Sequence, residues 1–127
     1  MKKDSQMFRV VNHDFTTTGV NTQLISAHGQ LFWYQFRQDA CRNKWYQAVQ
    51  YIGSKKQANC YTYTLEYGPH PGDSSRRSIL YTRATHSEEE CAKNIFQSAD
   101  CFNTDLNTIK MFNLNSVLKF KVKIEVA

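Results

Sequence analysis

The sequence contains no C-x-x-C pair, and its histidines (His13, His28, His70 and His86) do not flank its cysteines (Cys41, Cys60, Cys91 and Cys101) at zinc-finger intervals. It has no Gly-rich phosphate loop, no G-x-S-x-G elbow and no H-E-x-x-H helix. No apolar h-region opens it, and no apolar run approaches the roughly 18 residues that a membrane span needs. Only two prolines occur in 127 residues, both inside Gly68–Ser75, the one stretch dense in turn residues. These absences lead us to expect a non-catalytic chain with no membrane partner, no metal and no cofactor of its own. They also favour a reducing compartment, cytoplasmic or nuclear, with the cysteines serving mostly as buried small hydrophobes.

Aromatic and β-branched residues, by contrast, are plentiful and alternate. Trp45–Ile52 and Tyr61–Tyr67 read as two antiparallel strands joined by a polar turn at Gly53–Lys56. On the second, Tyr61, Tyr63, Leu65 and Tyr67 share one face, and Thr62, Thr64 and Glu66 the wet one. Met7–Phe15, a short strand at about Asn21–Ser26, Gly29–Gln38 and Ser78–Ala84 read as further strands, whereas the polar Met1–Gln6 is expected to fray. In Gly29–Gln38 the inner face is Phe32, Tyr34 and Phe36, which leaves Trp33 outside with Leu31 as a candidate contact residue. The last strand sets Leu118, Phe120, Val122, Ile124 and Val126 against Lys119, Lys121, Lys123 and Glu125, a lysine row that reads as protection of a sheet edge. Two short helices are expected between the later strands. One has Ser87 as N-cap and Glu90 closing a capping box ahead of the stripe Cys91, Ala92, Ile95, Phe96 and Ala99; the other spans Thr104–Phe112. The whole of residues 1–127 is read as one domain, long enough to bury a core without staples.

Charge is unevenly spread. Five acidic residues face only Lys93 between residues 88 and 105, leaving that segment net −4 and, from a total of +5, the remainder +9. A basic remainder with Trp33 and Trp45 admits a nucleic-acid partner, although no RRM, KH or zinc-knuckle motif is present. His13-Asp14 are neighbours on a strand and point to opposite faces, so they do not form a catalytic pair.

The run Val49-Gln50-Tyr51-Ile52-Gly53-Ser54-Lys55-Lys56-Gln57-Ala58, followed by Tyr63 and Leu65-Glu66, resembles the V-Q-L-I-G-T-R-K-Q-A…Y-x-L-E segment of the seven-in-absentia (SIAH/Sina) substrate-binding domain. Gly29 with Phe32, Ser98-Ala99-Asp100-Cys101, Asp105 and Phe112 match in the same order, so that the resemblance covers roughly residues 28–126. It implies a mostly β, TRAF-like antiparallel sandwich, often a homodimer, acting as the recognition half of a RING-type ubiquitin ligase. In that family zinc is held by segments preceding this domain, so any ligase chemistry would belong to a parent protein. A scaffold or adaptor module with no ubiquitin chemistry is the alternative.

Members of the family bind an extended Pro-x-Ala-x-Val-x-Pro peptide by strand addition beside an early strand. The resemblance therefore implies a protein or peptide partner, contacted by Val20, Asn21, Thr22, Gln23, Leu24, Ile25 and Trp33. An ungapped alignment back from Gly29 puts Asn21 and Gln23 where the family carries Trp and Met, which implies a changed peptide preference. The Gly68–Ser75 loop is longer than its counterpart there.

Overall fold

The computed structural model describes residues 3–127. In chain order its strands are β1 (Lys3–Val11), β2 (Gly19–Ala27), β3 (Gln30–Asp39), β4 (Lys44–Tyr51), β5 (Tyr61–Tyr67), β6 (Ile79–Ala84), β7 (His86–Ser87), β8 (Phe102–Asp105), β9 (Asn113–Leu114) and β10 (Val117–Val126). Three short helices, α1 (Lys55–Ala58), α2 (Ala92–Ser98) and α3 (Leu106–Lys110), sit in the connections. Sheet A runs β1-β10-β5-β6 with β9 on the end of β10; sheet B runs β2-β3-β4-β7 with β8 also on β4. All pairings are antiparallel except the short β4–β7 ladder. This is the mostly β, TRAF-like sandwich that the resemblance implies.

Period-two alternation supplies the core. Phe32, Tyr34, Trp45 and Val49 of sheet B meet Phe8, Tyr63, Leu65, Leu118, Phe120 and Ile124 of sheet A, all buried. Burying each such side chain favours folding by roughly 1.5–3 kcal/mol. Helix α2 covers part of the outer face of sheet B, seating Ile95 and Phe96 with Ala48, Cys101 and Tyr46. Helix α3 buries Leu106 and Ile109, and Phe112 behind it, as the Thr104–Phe112 spacing predicts.

Several expectations are corrected. The strands β4 and β5 do not pair with each other; they lie in opposite sheets and face one another across the core, with Tyr51 and Tyr61 stacked at 5.3 Å. The connection read as a tight turn contains α1 and is long enough to cross between layers. Its capping box is formed by Ser54 and Gln57. Ser87 is no helix cap. It sits in β7, paired with Tyr51, and its hydroxyl donates to the Gly53 carbonyl at 2.5 Å, while α2 begins later, behind Cys91. The lysine row guards no edge either, because β10 is central in sheet A, between β1 and β5.

Chain from Lys3 onward is strand rather than frayed, and the strand stops at Val11, short of Phe15; Met1 and Lys2 lie outside the described residues. Thr64 on the expected wet face is buried and shares a hydrogen bond of 2.8 Å with Thr82. Cys101 is buried, but Cys41, Cys60 and Cys91 are exposed. Trp45 is 2% exposed, which removes it as a base-stacking surface for nucleic acid.

Candidate peptide-binding edge

Among the described residues strand β2 has one neighbour, β3, and β1 has one, β10, so both present a free edge. The β2–β3 hairpin turns on His28-Gly29, with φ of 53° and 71°; two left-handed central residues match the strand twist, and glycine adopts the second without strain. His28 ties this turn to sheet A. Its backbone N–H donates to Asp4 Oδ2 at 2.6 Å, and its Nε2 lies 2.6 Å from the Ile124 carbonyl. At the other end, buried Gln38 donates to the carbonyls of Asp14 and Thr17 at 3.0 and 2.7 Å and pairs with His13 Nε2 at 2.7 Å. The Asp14 carboxylate accepts from the Thr16 hydroxyl and amide, which holds its pKa below the usual range and fixes the loop. Thus both ends of β2 are pinned while its long edge stays open.

Alternation along β2 divides the seven expected site residues between two faces. Asn21 and Gln23 point inward and line a cleft of about 100 Å³ at the mouth of the sandwich, with Phe8, Tyr34, Phe36 and Phe120 behind them. Val20 and Thr22 point outward, into a groove of about 560 Å³ between sheet B and α2, flanked by Arg37, Lys93 and Phe96. Leu24 is 54% exposed and lies directly across from half-buried Trp33 on that same outer face. Ile25, at 4% exposure, is a core residue and can offer a ligand only its main chain. The seven therefore border one strand edge but do not converge on one pocket. The β1 residues Phe8 and Val10 and the ring of His13 also line the mouth. Strand alternation alone does not reveal that β1 lies alongside β2.

The polar groups around His86, Ser87 and Cys101 are engaged in holding the fold. His86 is buried; its Nε2 lies 2.7 Å from the Asp100 carbonyl and its Nδ1 3.4 Å from Glu90. Burial, helped by the Arg83 charge, lowers its pKa from the ordinary imidazole value. The adjacent Ser87 hydroxyl is engaged with Gly53, so no base–nucleophile pair forms. Burial pushes the Cys101 thiol up to about 12, which leaves it unreactive. Among the described residues no cluster of His, Cys, Asp or Glu could hold a metal ion, and no helix is long and apolar enough to cross a membrane.

Comparison with known proteins agrees with this architecture. A family model described as the Sina, TRAF-like domain matches residues 25–123, from Ile25 in β2 to Lys123 in β10. A search of curated proteins gave no match. Residues Val20–Leu24 precede the matched segment. The match takes in most of the chain, and together with the two-sheet fold it establishes that the chain belongs to the Sina TRAF-like family of protein-interaction domains.

Proposed function

We propose that this domain captures an extended segment of a partner protein by strand addition to the free edge of β2. The observation that carries this reading is the pairing of that edge with two clefts, one on each side. A strand laid against β2 alternates its side chains as β2 does. One set enters the mouth beside Asn21 and Gln23, and the other lies outside beside Val20, Leu24 and Trp33. Main-chain hydrogen bonds supply affinity and the clefts supply selection. The amides of Asn21 and Gln23 line the inner cleft with hydrogen-bonding groups, and an apolar residue seated there would leave them unpaired. The preferred segment therefore carries a polar residue at the position where the family peptide carries valine.

The test is a titration with a labelled Pro-x-Ala-x-Val-x-Pro peptide, with a version bearing asparagine in place of the valine, and with versions methylated at alternate backbone nitrogens. Saturable binding that is stronger for the asparagine peptide and lost on backbone methylation supports strand addition with altered preference. Tight binding of the valine peptide would refute the altered preference, and indifference to methylation would refute strand addition.

The same reading includes self-association. Val20, Leu24 and Leu31 are 75, 54 and 47% exposed along the outer face of sheet B, an apolar strip that a second copy would cover while no partner strand is bound, so that the two occupants compete for Val20 and Leu24. Light scattering at micromolar concentration should give a dimer mass; a monomer removes this part of the proposal. Any covalent chemistry would then lie with other domains or partners, and this chain would supply the selection.

A further inference from the structure

Arg9 and Lys119 stand directly opposite each other across the β1–β10 ladder, on the outer face of sheet A. Like charges in that register repel and weaken the pairing. Among the described residues, neither makes an ion pair, nor does Lys121 two positions along β10. The nearby acids are engaged: Glu66 lies 3.1 Å from Lys123, and Asp73 is held by Ser75 at 2.7 Å and lies 3.8 Å from Arg77. A local charge conflict with no internal counter-ion is the kind of departure that marks a site for an external one.

The long loop after β5 turns this conflict into a cleft. His70, Pro71 and Gly72 close over the same end of the face and, with Leu114, Arg9 and Lys119, bound a space of about 460 Å³. No carboxylate lines it. His70 contributes a ring whose Nε2 is buried and has no hydrogen-bond partner among the described residues. Two cations and an absence of negative charge describe a pocket for a compact anion of high charge density.

We propose that this cleft binds a phosphoryl group carried by a protein partner, a phosphoserine or phosphothreonine. The Arg9 guanidinium and the Lys119 ammonium neutralise the dianion. Pro71 and Leu114 contact the flanking chain. A nucleic acid fits less well for two reasons. The positive strip is short, because Lys123 is neutralised by Glu66 and the next outward residue on β10 is Glu125. The outward-facing side chains of β1, β10, β5 and β6 also include no aromatic on which bases would stack. The site lies on sheet A, so it stands or falls separately from strand addition at β2.

The test uses the amide NMR spectrum of the whole chain, titrated with a capped Gly-phosphoserine-Gly peptide, its unphosphorylated twin and single-stranded oligothymidylate. We expect saturable shifts at Arg9, His70 and Lys119 with the phosphopeptide alone. Affinity should fall at least about tenfold in Arg9→Gln/Lys119→Gln. Removing the repulsion should leave the melting temperature of that variant equal or higher, so that lost binding is not lost folding. If the double variant fails to fold, Lys119→Gln alone must weaken binding at least about threefold. The variant Lys123→Gln, whose parent lysine is already paired, should change affinity by less than about twofold. Absence of saturable shifts, equal binding of the unphosphorylated peptide, or unchanged affinity in the charge variants would overturn the proposal. So would tighter binding of oligothymidylate, with shifts spreading to Lys121 and Lys123.

Discussion

The Tyr67 hydroxyl donates to the side-chain oxygen of Gln47 at 2.5 Å, across the middle of the sandwich, joining β5 of sheet A to β4 of sheet B. The same oxygen accepts from the Trp45 indole at 3.0 Å, and the Gln47 amide donates to the Tyr34 hydroxyl at 2.6 Å. Burial pushes the Tyr34 and Tyr67 hydroxyls well above their ordinary pKa, so both remain neutral partners. Because the network is buried and mutually satisfied, removing its centre strands several polar groups at once. Gln47→Leu should therefore cost about 3 kcal/mol in urea unfolding. Adding Tyr34→Phe and Tyr67→Phe should recover part of that loss. A triple variant weaker by the sum of its parts would show that the three side chains are not coupled.

If Asn21 and Gln23 set the altered peptide preference, the family's residues should reverse it. Asn21→Trp/Gln23→Met makes the rim of the mouth cleft apolar, and binding of a Pro-x-Ala-x-Val-x-Pro peptide should improve by about tenfold or more. Fluorescence polarisation measures this directly. No gain would mean that selection resides outside these two positions.

The cysteines should separate by exposure and charge. Cys41, Cys60 and Cys91 are exposed, whereas Cys101 is buried with its thiol raised to about 12. Mass spectrometry after alkylation of the folded domain should find the three exposed thiols modified and Cys101 protected until denaturant is added. Early labelling of Cys101 would contradict the seating of α2 on Ala48.

His86 makes stability depend on pH. Its folded pKa lies below its ordinary value of 6.5, mainly because burial disfavours the charged ring. The unfolded chain therefore takes up the proton first, and stability falls as pH drops through 6.5 towards the folded value, with no further loss from this group below that. Thermal melts of the wild type and His86→Gln should diverge across that window, the variant giving the flatter profile. Parallel profiles would assign the acid sensitivity to other groups.

The sequence makes the strands legible where one face is buried and the other wet. Phe32, Tyr34 and Phe36 turn inward against Leu31, and Leu118, Phe120, Val122 and Ile124 inward against the lysines, as alternation requires. Alternation says which face is buried but not which strand is the neighbour. For that reason β4 and β5, consecutive and both aromatic, read as partners although they sit in opposite layers. The two helix-start patterns show the same limit. Ser54-x-x-Gln57 and Ser87-x-x-Glu90 are nearly identical signals, yet only the first caps a helix, because the second serine is held in β7 by Tyr51 and Gly53. At the candidate edge, the exposed β2 was visible as a polar strand. The inner wall contributed by Phe8 and Val10 was not, since it depends on a pairing with the far end of the chain.

That pairing bears on how the domain assembles. β10 holds sheet A together, with β1 on one side and β5 and β9 on the other, yet it comes last of the ten strands among the described residues. During synthesis the hairpin of β2 and β3, extended by β4, can form from local contacts. β1 must wait more than a hundred residues for its partner, since loop closure over that span is slow. Until β10 arrives, the edges of β1 and β5 stay open together, and nascent chains of this domain are at that stage most prone to pair with one another.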